Sequence, residues 1–286
     1  MKNIIYLVSL IFLLNINIAY AKCMDSSKIK EIIKGAPITP ITGLEANITL
    51  EDAYCNQNIY VTELKKLYGE PIGYKVGFTG KATQERFKIS KPATGVLFKE
   101  MFIKNGSSIN KDFGHRTLIE PDLMVIIKDS NIMTATNDIE AAKSIKSIHP
   151  FMEIPALQIA KGEPINGVIL VSLNMLATKM VMGPGIKFVA TPEFIKSLSE
   201  METIFTDENN NVIQTAPGSA LLGNPINVIL WLIKEFNNKG IVLKENDRIS
   251  LGSVGKLFPL VDSGKVYTYT LKGLSNKTVS TSIKIN

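Results

Sequence analysis

The chain has 286 residues, 45% of them hydrophobic and 20% charged, with two Cys, two His and a formal net charge of +6. That length suits one large domain, or one domain with a small appendage, and it needs no disulfide or structural metal to fold. The composition excludes a disordered chain, a disulfide-dense scaffold and a Cys-based zinc cluster, while His115 and His149 leave few placements for His-based catalysis. Nucleic acid is not an expected partner. Arg86, Arg116 and Arg248 are the only arginines, and the lysines are scattered with no block of five.

Residues 1–21, MKNIIYLVSLIFLLNINIAYA, read as a signal peptide. One Lys precedes an apolar stretch from Ile4 to Ile18, and Ala19-Tyr20-Ala21 offers small residues for cleavage. Asn15 and Asn17 interrupt the stretch, so no stable membrane anchor is expected. Lys22, directly before Cys23, disfavours lipid attachment there. The protein is therefore expected to be exported, periplasmic or secreted, with a mature chain starting at Lys22. Cleavage removes Lys2 and no acidic residue, which leaves +5. Export places Cys23 and Cys55 in an oxidising compartment. A bridge between them would close a loop of about 30 residues and contribute about 3 to 4 kcal/mol. The alternative is a buried Cys55 thiol and a frayed Cys23.

Residues 22–70 read as a helical N-terminal region. DSSKIKEIIK places Ile29, Ile32 and Ile33 on one face before Gly35, and a second helix is expected from Leu50 to Tyr68, ended by Gly69 and Pro71. Residues 71–286 read as the main body. Strand-like segments occupy 74–78, 95–103, 123–128, 152–160 and 167–176, and 201–214 reads as a hairpin around DENNN. A buried helix follows over 226–236, capped by Asn224 with Pro225 in its first turn. Strands near 247–251, 266–272 and 279–285 close the chain. Many strands and few, irregularly spaced helices indicate an α+β fold.

Three carboxylates stand out. Glu120 and Asp122 lie two residues apart, on one face if the segment is a strand. Pro121 between them cannot donate to a ladder, which points to an edge or a strand entrance. Glu153 sits in the apolar HPFMEIPALQIA, where it needs either an ion pair with a Lys or a metal. Three carboxylates without clustered Cys or His suit a hard cation, Mg²⁺ or Mn²⁺. Lys75, on the apolar strand YKVGF, should face a cavity or a carboxylate; partly desolvated beside a metal, its pKa would fall and it could transfer protons. His149 reads as a satisfied or exposed side chain. No GxGxxG, Walker A or GxSxG motif is present.

The ordered series YKVGFTGKA, GVLFKEM, IEPDLMVII, MEIPAL, LLGNPINVILWL and KENDRISLGS, with AYCNQ in the second helix, resembles the 2-keto-4-pentenoate hydratase branch of the fumarylacetoacetate hydrolase superfamily. The resemblance spans roughly residues 50–285. It implies a mixed β-roll of the fumarylacetoacetate hydrolase C-terminal domain type, and a divalent ion on Glu120, Asp122 and Glu153. It places the family's lysine on Lys75, its acidic residue before Met on Glu100, the threonine of its KxGxTS-like stretch on Thr79 and the serine of its TGS-like turn on Ser253. It also implies a homo-oligomer. Four positions differ from the usual pattern: Asp122 for Glu, Gly80 for Ser, Asn224 for His and Leu251 for Thr. The expected activity is that of a metal-dependent lyase hydrating a small anionic 2-oxo or 2-hydroxy-dienoate, with Lys75 and Glu100 moving protons. The alternatives are a related decarboxylase or acylpyruvate C–C hydrolase, and an exported keto-acid-binding protein without catalysis.

Overall fold

The computed structural model describes residues 22–260 and 262–286; the expected signal peptide lies outside the described residues. Among the described residues there are seven α-helices: α1 Ser26–Gly35, α2 Leu50–Tyr68, α3 Lys81–Arg86, α4 Asp138–Lys143, α5 Gly167–Ser172, α6 Pro192–Glu200 and α7 Pro225–Lys239. The strands are β1 Gly73–Gly77, β2 Ala93–Leu97, β3 Phe102–Ile103, β4 Ser108–Ile109, β5 Leu118–Ile127, β6 Ile145–Ile154, β7 Lys179–Met182 and β8 Ile186–Lys187. They continue as β9 Glu202–Thr206, β10 Val212–Pro217, β11 Arg248–Ser253, β12 Phe258–Pro259, β13 Val266–Leu274 and β14 Lys277–Ile285. No helix among the described residues is long and apolar enough to cross a membrane.

The large sheet runs β2-β1-β11-β5-β6-β7-β3, with β12 on β5 and β8 on β6, and it mixes parallel and antiparallel pairs. The smaller sheet runs β10-β9-β13-β14-β4. The large sheet is rolled. Arg248 on β11 lies 4.5 Å over the ring of Phe102 on β3, although four strand spacings separate them, about 19 Å in a flat sheet. Strand alternation sends Leu123, Val125, Met152 and Ile154 to one face, against α7 and the small sheet. Met124, Phe151 and Met180 go to the other face, against α2 and α5.

The N-terminal helices belong to this second core. Ile29 and Ile32 of α1 and Ala53, Tyr60 and Leu64 of α2 are buried in it. Thr49 and Asp52 form a capping box at the start of α2. Cys23 and Cys55 are joined as a disulfide, with Cα atoms 5.4 Å apart. On α2, Gln57 Nε2 donates to the carbonyls of Thr94 on β2 (2.7 Å) and Val171 on α5 (3.0 Å).

Several segments depart from the sequence reading: the strand expected over 95–103 breaks after Leu97 into a helical turn, and the one expected over 152–160 ends at Ile154. Residues 167–176 form a helix and a turn instead of a strand. The run is apolar on every side, so periodicity cannot distinguish the two, and Asn166 settles it by accepting the Ile169 N–H as an N-cap. Pro121 is not at an edge; β5 lies between β11 and β6. The register of β11 jumps between Ser250 and Ser253, opposite Met124 and Asp122, so the sheet bulges where Pro121 lacks a donor.

Asn224 caps α7, accepting from Ile226 N at 3.1 Å, and its amide also donates to Ile195 O of α6 at 2.8 Å. Asn224→Ala should therefore lower unfolding stability by about 1 to 2 kcal/mol, and Asn224→Asp, which keeps only the cap, by less. Urea titration measures both.

Candidate active site

The site forms where four strands present polar side chains to one face of the large sheet. Register places Glu120 opposite Glu153 across β5 and β6, and Lys75 opposite Ser250 across β1 and β11. Asp122 follows Glu120 on the same face. All are buried: Asp122 and Glu153 are each 1% exposed, Lys75 5%, Glu120 9% and Ser250 0%.

Lys75 Nζ donates to Glu153 Oε2 and, at 3.3 Å, to the Met175 carbonyl. Ser250 Oγ lies 2.8 Å from Asp122 Oδ2 and 2.9 Å from Glu153 Oε1. The other Asp122 oxygen, Oδ1, accepts the Leu123 N–H. The bulge in β11 releases that amide from the ladder, and the carboxylate takes it up.

The electrostatics follow from this crowding. Burial pushes the Glu120 carboxyl up to about 7, helped by the Glu153 charge and opposed by Lys75 and the Ser253 hydroxyl. Burial, with the Glu153 and Glu120 charges, lifts Asp122 well above the usual carboxylate range. The expected depression of the Lys75 pKa is corrected. Burial acts to lower it, but the Glu153, Glu120 and Asp122 charges outweigh burial and raise it above the ordinary lysine value.

Ser253 joins the group through Glu120, and Thr79 packs beside it on Gly252. Thr79 follows Phe78, which holds a positive φ of 59°, a strained conformation for a bulky residue. Gly252, at φ +97°, packs on Thr79; a Cβ there would lie 2.5 Å from Thr79 Oγ1. Glu100 does not join. It is exposed on a short helical turn beyond β2, and its carbonyl accepts from Lys179 at 3.1 Å. The resemblance placed it by position in a motif, but the chain turns away from the site after Phe98. His149 is satisfied, donating from Nδ1 to Gly183 O (2.9 Å) and accepting at Nε2 from Ser147 Oγ (2.8 Å).

Sequence reasoning missed Ser250 and the turn Asn174–Leu176. All three turn residues have positive φ, 52°, 54° and 55°, forming a single left-handed turn over Lys75. The Asn174 amide anchors it, accepting from Val96 N (2.7 Å) and donating to Val96 O (2.9 Å) on the free edge of β2. A hydroxyl between Ile249 and Leu251 was the signal for Ser250, since alternation sends those neighbours to the opposite core.

No model of a known protein family matches the chain. The chain is 24% identical over 244 residues to the 2-keto-4-pentenoate hydratase of Paraburkholderia xenovorans (strain LB400), covering 85% of this chain and 87% of that protein. It is 23% identical over 250 residues to the TodF product hydratase of Pseudomonas putida, covering 86% and 89%. In structure it resembles the 4-oxalocrotonate decarboxylase from Pseudomonas putida G7 complexed with magnesium and adipate, with a TM-score of 0.75 and 19% identity over 91% of this chain and 95% of that one. A fumarylacetoacetate hydrolase family protein from Yersinia pestis CO92 aligns with a TM-score of 0.53 and 16% identity over 74% and 94%. In sequence the chain is similar to the 2-keto-4-pentenoate hydratases, and in fold to the decarboxylase and the fumarylacetoacetate hydrolase family protein. The mixed β-roll expected from the sequence is the fold that the chain shares with these two structures.

The donor set suits the divalent ion that the resemblance implies. Three buried carboxylates against one ammonium leave two uncompensated negative charges when all are ionised, and hard oxygens are the only charged donors. As arranged, the Lys75 ammonium occupies Glu153, and among the described residues no three His, Cys, Asp or Glu side chains are spaced as a ready metal cage.

A carboxyl with a raised folded pKa stabilises the fold while protonated and loses that contribution as pH rises through the folded value. With chelator present, the melting midpoint should therefore fall as pH rises from about 4.5 through about 7. Glu120→Gln should flatten that fall, and Mn²⁺ should raise the midpoint more at pH 8 than at pH 6. Scanning fluorimetry across pH reads all three.

Proposed function

We propose that the protein is a metal-dependent lyase of the hydratase type, acting on a small 2-oxo or 2-hydroxy-dienoate. The observation that carries this reading is the burial of Glu120, Asp122 and Glu153 on one sheet face with Lys75 hydrogen-bonded into them. The relatives named as hydratases, which share most of their length with this chain, support it.

Glu120, Asp122 and Glu153 would hold Mg²⁺ or Mn²⁺. When bound, the ion supplies Lewis-acid polarisation of a 2-oxo acid and offsets the buried negative charge. Lys75 is the proton carrier. Its raised pKa keeps Nζ charged, so it acts first as an acid, delivering a proton to a dienol carbon and taking one back from the 2-hydroxyl as the substrate ketonises. Water then adds across the remaining conjugated double bond. The Met175 carbonyl fixes the direction of the Lys75 ammonium. Thr79, buried against Gly252, and Ser253, beside Glu120, would bind the substrate. With Glu100 turned to solvent, Lys75 does this work without it.

The reading extends to location and assembly. Residues 1–21 have the features of a leader, and the Cys23–Cys55 bridge suits an oxidising compartment, so we place the mature protein in the periplasm or outside the cell. The family resemblance carries the expectation of a homo-oligomer. Intact mass of the protein recovered from an exporting host should correspond to a chain starting at Lys22.

Purified residues 22–286 should hydrate 2-hydroxypenta-2,4-dienoate with Mg²⁺ or Mn²⁺ and stop when the metal is chelated. Lys75→Met should lower kcat by about 10²- to 10⁴-fold. No turnover with either ion overturns the reaction, and product analysis separates hydration from decarboxylation.

A further inference from the structure

We propose that Ser250 is a positioning residue for the divalent ion: its hydroxyl links Asp122 to Glu153, so that neither carboxylate swings away from the place the ion would take. This rests on the metal-dependent reading above.

Ser250 is fully buried, and its Oγ stands 2.8 Å from Asp122 Oδ2 and 2.9 Å from Glu153 Oε1, on two different strands. No other side-chain hydroxyl among the described residues touches both carboxylates. Register explains how it reaches them. Ser250 pairs with Lys75 on one side and Met124 on the other, so its Cβ points to the site face, two residues from Asp122 along β5. The bulge that follows brings β11 back into step at Ser253.

Packing alone does not ask for a hydroxyl here. Ile249 and Leu251 fill the opposite core, and Met124 beside Ser250 is apolar. An apolar residue at 250 would pack equally well, but it would leave two buried carboxylate oxygens without their shared partner. A serine hydroxyl carries one proton and cannot donate to both at once. It therefore acts as a spacer that both carboxylates lean on. The need is greater because Asp122 is a short ligand. Its Oδ1 is held by the Leu123 amide, so Ser250 orients the oxygen that remains. Residues that orient metal ligands in this way typically change affinity by about 10- to 100-fold when removed.

The test is a Mn²⁺ titration of the purified protein, read by the electron paramagnetic resonance signal of free aqueous Mn²⁺, with melting of the metal-free protein in parallel. Wild type should bind one ion per chain, and Ser250→Ala should bind it about tenfold or more weakly. Ser250→Thr, which keeps the hydroxyl, should stay within about threefold of wild type. If Ser250→Ala binds Mn²⁺ as tightly as wild type, the proposal is overturned, even if that variant melts lower, because its role is then structural. Should Ser250→Ala fail to fold, Ser250→Cys gives the same reading, and unchanged affinity again overturns the proposal. If wild type binds no Mn²⁺, the metal-dependent reading itself fails, and it does so before any variant is compared.

Discussion

Three carboxylates and one ammonium share the inner face of the rolled sheet, and burying them together constrains everything near them. Unpaired buried charge costs several kcal/mol, so each group must find a partner within the fold. Glu153 takes the Lys75 ammonium, Asp122 takes its own neighbour's amide, and Ser250 spans the two. Glu120 stands less fully compensated, and its carboxyl is the one raised to about 7. The excess negative charge is what a hard divalent cation would balance.

Several backbone irregularities trace to the same constraint. The β11 bulge opposite Pro121 frees an amide for Asp122 and lets Gly252 bring Ser253 beside Glu120. The left-handed turn at Asn174–Leu176 is costly for non-glycine residues, and the Asn174 amide offsets that by pairing with the backbone at the end strand β2. The turn's reward is a carbonyl aimed at Lys75. Behind it stands α2, whose Tyr54 and Gln57 side chains bond to Thr94 of β2 and whose Cys55 tethers the N-terminal segment. The helical N-terminal region is thus the outer wall of the site's own core.

Much of the site was legible because alternation is a short-range rule. Glu120 and Asp122 had to share a face once residues 118–127 formed a strand, and Glu153 in an apolar run had to be paired. Of the two readings of Glu153, the ion pair to a Lys is the one present, and its partner is Lys75, 78 residues away. Pro121 misled because its missing donor normally marks an edge; a bulge on the neighbouring strand, invisible in local sequence, let it sit in mid-sheet. Residues 167–176 misled because a run apolar on all sides carries no period. Glu100 fell outside because motif position says nothing of where the chain turns.

By itself, the sequence determined the element types with strong caps or clean alternation: α2, α7, the 201–214 hairpin, the closing strands and the shared face of Glu120 and Asp122. Those features depend on residues within a few positions of one another. The tertiary structure decided which groups meet. Lys75 and Glu153 lie 78 residues apart, and Ser250 and Asp122 128 apart. Only the strand order β1-β11-β5-β6 and its register bring them onto one face, and only their joint burial sets the charge each one carries.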